Sequence, residues 1–438
     1  QLYYAETRES EPTSSSTFNN TWNGLYSTLK SARIIINQCS EGGIDYGNVA
    51  TKGMAEVLAA YNCALIADMF GDAPCSQAAL VDENGSPVYL TPKMDKQEEI
   101  YTQAMQYLDD AIADLQKEDL IDPGAQDLLY QGDAEKWLKL AYGLKARYTM
   151  HLLKRSANKD ADMEKVLEYV DNSFESAEEQ AAFDVYDANN INPLYGFFVA
   201  RAGLGASESM RSKLAEYNDP RLSRAFITKQ GASGKEQAPG TADNAVYAPN
   251  GSPEQGTSKY GTSLFMYSIS APTLLLSYHE LKFLEAEALC RLGRDAKSAL
   301  KDAVVAGLLN AENSFSVSRK ELGKTLINPA SSITDTEAES YFDNTIEAKY
   351  TAEPLKTTMI QKYFALWGAS GEATESYNDV RRMKGLGENF IELKNPNSFP
   401  LRCPYGNSDT TTNAEVKAAY GNGQYVYSEN VWWAGGSR

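Results

Sequence analysis

The stretch 47–80 constrains the fold of this chain most strongly, because it contains a long apolar helix together with its stop signal. Apolar side chains recur there at steps of three and four, which predicts a core helix over 48–70. Gly71 tolerates the positive φ of a C-terminal cap, and Pro74 prevents the helix from resuming. Asp68 falls on or near the apolar face. We therefore expect its carboxylate to have a partner or a polar cavity, since burying even an uncharged polar group unpaired costs on the order of 2–7 kcal/mol.

Length and charge limit the architectures and partners of the chain. Its 438 residues exceed the roughly 250–300 residues that one compact core accommodates, which favours two lobes or an extended helical array. The formal net charge of −18 argues against a nucleic-acid partner and against electrostatic docking on anionic lipid. The five cysteines form no CxxC pair and predict neither a disulfide scaffold nor a zinc site. A single disulfide between two of them remains an alternative that the sequence does not decide. We also expect no apolar run of the ~18–20 residues that span a bilayer.

Helical periodicity covers most of the chain and then fails in its middle. The predicted helices are 21–39, 48–70, 95–118, 134–155, 160–172, 274–292, 294–309, 335–349, 353–367 and 372–383. The pair on either side of Gly293 resembles a tetratricopeptide hairpin. Residues 425–427 alternate like a short strand. Between 189 and 273 the chain is rich in Gly, Pro and Ser, and long irregular segments are often functional.

We therefore predict an all-α fold, in which tetratricopeptide-like helical hairpins form a scaffold and a long irregular region packs on it. As one domain over 1–438, it has a helical body at about 21–180 and 274–383. A loop-rich ligand lobe covers about 189–273, and a loop-rich tail covers 384–438.

The sequence carries little that indicates catalysis. Its two histidines, His151 and His279, each lie inside a helical pattern without a second histidine at ligand spacing. A nucleophile elbow, a P-loop, an HExxH motif and a complete dinucleotide fingerprint are all missing from the sequence. We therefore predict a protein that is not an enzyme and that has neither cofactor nor metal. The many acidic residues do not by themselves exclude the carboxylate pair of a glycosidase.

Aromatic residues outside the predicted helices are the positive signal for binding. The chain contains 27 Tyr, 14 Phe and 5 Trp, and flat rings with a polar tip suit the apolar faces of sugars. The candidate ligand-binding residues are Asp68, Asp72, Tyr195, Phe198, Tyr247 and Tyr260. We predict a groove that joins the loop after Gly71 to the region 190–270, with the two aspartates at its floor. For each ring the alternative is that it pins a loop onto the helical body.

Several segments occur in an order that resembles one known family. They are 67–74, 91–101, 132–137 with 144–147, 218–222, 361–368 with 377–382, and 399–402. Together they resemble the SusD-like (SusD/RagB) outer-membrane lipoproteins of Bacteroidetes, in the branch named for starch binding in association with the outer membrane. A pair like Trp432 and Trp433 recurs near the end of that branch, which implies that it anchors the tail.

The resemblance implies a non-catalytic glycan-binding protein that takes up oligosaccharides with a SusC-like TonB-dependent transporter. It also implies a lipid-anchored, surface-exposed protein of the outer membrane, whose signal peptide and lipidated cysteine are not in this sequence. A helical-repeat module that binds peptides or proteins is the first alternative. A glycoside hydrolase is the second.

Overall fold

The computed structural model describes residues 16–201, 205–230, 236–240, 245–249, 260–368, 371–394, 399–423 and 425–438. Its contacts divide the chain into two compact units. The central unit draws on 176–377 and 389–397, and the terminal unit draws on 9–175, 378–388 and 398–438. The two stretches of the predicted helical body thus fall largely in different units, and the interpretation as a single domain stays a prediction.

Long helices form the first part of the terminal unit. They are α1 (Ser16–Cys39), α2 (Val49–Phe70), α3 (Gln97–Asp114), α4 (Ala134–His151) and α5 (Lys159–Asp171). Helix α2 packs against α1, α3 and α4, while α5 packs against α4. The side chain of Asp133 caps α4 by accepting hydrogen bonds from the N–H groups of Glu135 and Lys136. These helices confirm the prediction for this part of the chain to within a few residues at each end.

Helix α2 ends as its sequence predicts. Gly71 has φ +78°, and its N–H donates to the carbonyl of Ala67 over 2.9 Å. By length and composition α2 does qualify as a membrane span, contrary to the expectation from the sequence. However, 78% of its most apolar 18-residue window is buried inside the protein, as in the core helix of a globular unit. Small buried side chains such as Ala59 and Ala60 allow its neighbours to approach on several sides.

The first part of the central unit contains short elements, in agreement with the loss of helical periodicity. Its helices are α6 (Pro193–Arg201), α7 (Glu208–Glu216) and α8 (Leu222–Ala225). Its strands are β1 (Ala181–Phe183), β2 (Phe226–Gln230), β3 (Glu236–Pro239), β4 (Thr262–Ser263) and β5 (Thr273–Leu276). Strand β1 pairs with β5, and β3, β2 and β4 form a second antiparallel sheet in that order.

Further helical segments, several of them long, follow in the chain. They are α9 (Tyr278–Arg291), α10 (Lys297–Leu322), α11 (Asp335–Tyr341), the π-helical segment Phe342–Ile346, α12 (Glu347–Ala352), α13 (Pro354–Ala365) and α14 (Ala373–Leu386). Helices α9 and α10 form the predicted hairpin around Gly293, and both pack against α13. Helix α10 continues past its predicted end at 309 because Ala311, Phe315 and Ser318 extend its buried stripe. The fold is therefore all-α, as predicted.

The tail adds short helices to the terminal unit. They are α15 (Asn407–Thr412), α16 (Ala414–Tyr420) and α17 (Tyr425–Ser428). The predicted strand at 425–427 is wrong. Tyr425 and its neighbour Val426 are both buried, which suits one side of a helical turn, whereas a strand would bury alternate residues. The N–H of Glu429 donates to the carbonyl of Tyr425 over 3.0 Å and closes this turn.

Candidate ligand-binding site

Helix α6 positions two of the candidate aromatic residues. Asn192 caps it: its Oδ1 accepts a 2.8 Å hydrogen bond from the N–H of Leu194. The amide Nδ2 of Asn192 donates to the carbonyl of Ala271 over 2.8 Å and ties the cap to the chain before β5. Pro193 occupies the first helical position, where a missing N–H has no consequence. The start of α6 is therefore fixed on the central unit.

Aromatic side chains of α6 are partly open to solvent. Phe197 is 47% exposed, and Tyr195 and Phe198 are half-buried. The ring of Phe198 packs edge-on against Tyr267, with centroids 5.1 Å apart. The hydroxyl of Tyr195 donates to Oε1 of Glu321 over 3.3 Å, and partial burial beside this carboxylate raises the pKa of Tyr195. We call Tyr195, Phe197 and Phe198 the α6 ledge. Their open ring surfaces can stack on an apolar ligand face.

Tyr247 and Tyr260 lie inside the central unit. Tyr247 is 3% exposed, and burial raises its pKa to about 12 although the guanidinium of Arg211 lies 5.4 Å from its ring centroid. Among the described residues its hydroxyl has no hydrogen-bond partner. Tyr260 is also buried, and the segments that carry the two tyrosines are joined by a 2.8 Å hydrogen bond from Gly261 N to Val246 O. In this structure both rings contribute to packing of the core.

Asp68 is 2% exposed and is surrounded by donors within the terminal unit. Its carboxylate accepts hydrogen bonds from Trp433 Nε1 at 3.0 Å, from Asn378 Nδ2 at 3.4 Å and from the hydroxyl of Tyr101. His151 Nδ1 lies 3.4 Å from Oδ2 of Asp68 and 2.9 Å from the Tyr101 hydroxyl. The structure confirms that this carboxylate on the core face has partners. Trp433 is fully buried, as its predicted anchoring role requires.

Asp72 is buried and holds the start of α3. Its Oδ1 accepts a 2.9 Å hydrogen bond from the N–H of Gln97, and its Oδ2 lies 2.8 Å from Nζ of Lys96. A carboxylate in this position also interacts favourably with the positive end of the helix dipole. The carbonyl of Asp72 accepts a 2.7 Å hydrogen bond from the hydroxyl of Tyr405. Asp72 thus connects the loop after α2 to α3 and to the tail.

The six predicted site residues divide between the two units. The acidic pair Asp68 and Asp72 belongs to the terminal unit, and the aromatic set Tyr195, Phe198, Tyr247 and Tyr260 belongs to the central unit. A groove that joins all six therefore stays a prediction. Our selection from the sequence omitted Phe197, which has the most exposed ring of the α6 ledge. The signal for it was the Phe-Phe pair one turn after the Asn-Pro helix start, since adjacent helical residues point in different directions.

A groove of about 320 Å³ opens on the central unit beside α9 and α10. Its lining includes Gln180, Tyr278, Lys301, Asn310, Asn313 and Glu339. The side chain of Gln180 is held by a 3.2 Å hydrogen bond that its Oε1 accepts from the N–H of Tyr278. A lining of this kind offers an aromatic ring together with several donors and acceptors. No local motif predicts this groove, because its residues come from distant parts of the chain.

The helical hairpins place the chain in the class of tetratricopeptide-like all-α proteins. A family model described as starch-binding and associating with the outer membrane matches residues 4–405, and the chain belongs to this SusD-like family. Family membership confirms the resemblance that the sequence motifs indicated. A comparison with curated proteins found no match.

Solved structures support the same assignment. A SusD/RagB family protein from Bacteroides thetaiotaomicron VPI-5482 is 68% identical, with a TM-score of 0.95 over 100% of this chain and 91% of that chain. A SusD homolog from Bacteroides fragilis NCTC 9343 is 20% identical, with a TM-score of 0.71 over 99% and 95%. A protein named as chitin-binding is 21% identical, with a TM-score of 0.72 over 95% and 87%. The last two show a shared fold alone.

Proposed function

We propose that this protein captures oligosaccharides at the cell surface without transforming them and delivers them to a SusC-like TonB-dependent transporter. The observation that carries this proposal is the family match over residues 4–405, since that family is described as starch-binding and associated with the outer membrane. A lipid anchor would hold the protein at the surface. The transporter would then take up the ligand that this protein concentrates.

Ligand capture is assigned to the α6 ledge. The apolar faces of different sugar units would stack on Phe197 and on the open sides of Tyr195 and Phe198, because Phe197 points to another side of the helix. Because the hydroxyl of Tyr195 is held by Glu321, the ring is oriented before the ligand arrives, which lowers the entropy that binding costs. Tyr247 and Tyr260 would support the surrounding backbone, and Asp68 and Asp72 would hold the scaffold of the terminal unit.

The surroundings of Asp68 and Asp72 make these two residues unsuited to be the acid pair of a hydrolase. A glycosidase needs two carboxyl groups that flank the scissile bond and contact the substrate. Asp68 and Asp72 are both buried, and each accepts hydrogen bonds from several groups of the protein itself. Non-covalent capture needs no such pair of exposed acids.

A ligand screen by thermal shift and calorimetry tests the binding proposal. The panel should include malto-oligosaccharides, because of the family description, and chito-oligosaccharides, because one structural neighbour is named as chitin-binding. A true ligand at about 100 times its Kd stabilises the folded state by about 2.7 kcal/mol and is recovered intact. Release of shorter products would indicate a hydrolase, and stabilisation by peptides alone would indicate a peptide-binding module. If no glycan of the panel raised the melting temperature or gave a binding signal in calorimetry, the result would count against the proposal.

The transporter has a separate test. Affinity purification of the tagged, full-length protein from outer membranes in mild detergent should recover a TonB-dependent transporter in comparable amount. Recovery of the tagged protein alone, under conditions in which the transporter stays soluble and folded, would contradict this part of the proposal.

A further inference from the structure

Two of the five cysteines meet in the terminal unit. Cys63 lies on α2, and Cys75 follows the Pro74 turn twelve positions later, with the two Sγ atoms 3.3 Å apart. Both side chains are fully buried. The described residues include all five cysteines, and no other pair of sulfur atoms among them lies within hydrogen-bond distance. Folding thus selects one pair of thiols that the sequence alone could not identify.

The backbone around Cys75 is held in place by polar contacts. Oδ2 of Asp95 accepts hydrogen bonds from the N–H groups of Cys75 at 2.8 Å and Ser76 at 2.7 Å. Nη1 of Arg33 donates to the carbonyl of Cys75 over 2.8 Å. A disulfide has an S–S distance of about 2.05 Å, so the two sulfur atoms need to approach by little more than about 1 Å. Closure requires that the two side chains supply this movement while the backbone stays fixed.

The hydrogen bond between the two thiols makes Cys63 the more acidic one. Its pKa is lowered by the hydrogen bond with Cys75 and by the positive charge of Arg33, which together outweigh burial. The thiolate is the nucleophile of thiol–disulfide exchange. Cys63 is therefore the thiol suited to close the bridge by attacking a mixed disulfide at Cys75.

We propose that Cys63 and Cys75 close a disulfide when the protein meets a disulfide oxidant, and that this bridge clamps α2 to the segment after its Gly71 stop. Cys75, which lines a groove, loses its proton and attacks one sulfur of the oxidant, forms a mixed disulfide and displaces the other sulfur as a thiolate. The Cys63 thiolate then attacks the Cys75 sulfur, which releases the remaining sulfur of the oxidant as a second thiolate. Two thiols of the chain become one disulfide, and the oxidant's disulfide becomes two thiols that take up the protons. Association of the family with the outer membrane places such proteins beyond the reducing cytosol.

The bridge also changes a groove of about 450 Å³ that Cys75 lines together with Ser76, Asp95, Gln103 and Tyr107. The Cys75 sulfur also lies 3.4 Å from Oε1 of Gln103, a second acceptor for its thiol proton. Disulfide formation removes that proton, so the amide of Gln103 becomes available to the groove. The groove is also the side from which an oxidant reaches Cys75.

The test compares the full chain exported to an oxidising periplasm with the same chain made in a reducing cytosol. Each preparation is unfolded in urea with excess N-ethylmaleimide, and the adducts are counted by intact mass. Five cysteines with one bridge leave three adducts, and peptide mapping should find Cys63 joined to Cys75. Oxidised glutathione should convert the cytosolic preparation from five adducts to three. The bridged form should melt roughly 5 °C higher than the reduced form.

Variants separate this pair from the other thiols. Cys63→Ala and Cys75→Ala should abolish the redox-dependent change in melting temperature. Cys290→Ala, the matched control, should keep it with two adducts, because Cys290 contacts no other sulfur. Five adducts in the exported chain, or a bridge between other cysteines, would overturn the proposal. The adduct count and peptide map of the unmutated chain test the proposal even if a Cys63 or Cys75 variant fails to fold.

Discussion

The indole Nε1 of Trp433 donates a 3.0 Å hydrogen bond to Oδ1 of Asp68, across 365 positions of sequence. Both residues are buried, so this bond fastens the tail to the core helix α2 within the terminal unit. His151 stacks on the Trp433 ring, with centroids 5.7 Å apart, and donor and acceptor are thereby held in register.

Loss of this donor should destabilise the terminal unit. Trp433→Phe keeps an aromatic ring but leaves Asp68 with one donor fewer, which we expect to lower the free energy of unfolding by about 1–3 kcal/mol. Urea denaturation followed by circular dichroism measures the change. Trp432→Phe is the matched control, because Trp432 is only half-buried and keeps a ring beside Arg155, 5.0 Å from its centroid. Equal losses in the two variants would show that the hydrogen bond to Asp68 is unimportant.

The end of α2 should depend on Gly71 for two reasons, which are its positive φ and the close approach of Arg402. A Cβ at Gly71 would stand 2.5 Å from Nη1 of Arg402, and the residue also has φ +78°. Gly42 has φ +87° with open space around it. We expect Gly42→Ala to lower the free energy of unfolding by about 1–2 kcal/mol through backbone strain alone, and Gly71→Ala to lower it clearly further. Similar losses in both variants would remove the close approach of Arg402 from the explanation.

The α6 ledge should determine glycan affinity once a ligand is known. Phe197→Ala, Tyr195→Ala and Phe198→Ala should each weaken binding, with about a fivefold loss for one stacking contact of about 1 kcal/mol. Tyr89→Ala is the control, since Tyr89 is 44% exposed and lies outside the ledge, against 47% for Phe197. Isothermal titration calorimetry gives the affinities. Unchanged affinity in all three ledge variants would move the site elsewhere, and the groove beside α9 and α10 would be the next candidate.

Stability should fall in acid partly through His279. Burial, with the positive charges of Arg221 and Lys362, lowers the pKa of His279 from 6.5 to about 3. Between about pH 6.5 and pH 3, His279 is therefore protonated in the unfolded chain and neutral in the folded chain. This group thus lowers the free energy of unfolding as the pH falls through that window, by up to about 1.4 kcal/mol per pH unit.

The His279→Gln variant isolates this contribution, because glutamine does not titrate. The difference in unfolding free energy between the two proteins should change between pH 7 and pH 5 in favour of the variant. Parallel pH profiles would show that His279 takes up a proton in the folded state as readily as in the unfolded one.

Local features of the structure were predictable from the sequence, and distant ones were not. The Gly71 stop and the need of Asp68 for partners follow from neighbouring residues. The identity of Trp433 as a partner does not, because only the completed fold brings it to α2. The strand predicted at 425–427 failed for a related reason, since burial of two neighbouring residues there is decided by packing of the tail.

The candidate site shows the same limit. Tyr247 and Phe197 both follow segments rich in helix breakers, yet Tyr247 packs against Phe226 on β2, whereas Phe197 faces solvent. Composition marks aromatic residues outside the long helices, but the sheet and the short helices decide which of them are open. Whether the open rings bind a glycan is now a question for calorimetry.

The hydrogen bond between Asp68 and Trp433 also constrains the order in which the chain folds during its synthesis. Helices α1–α5 leave the ribosome well before 378–388 and 398–438, which their unit also needs. Most of the central unit, over 176–377, is complete before then. Contacts that close over such long loops form late. The helices of the terminal unit are thus made before the segments that complete it, and we expect the apolar faces of α2 to stay exposed in the interval.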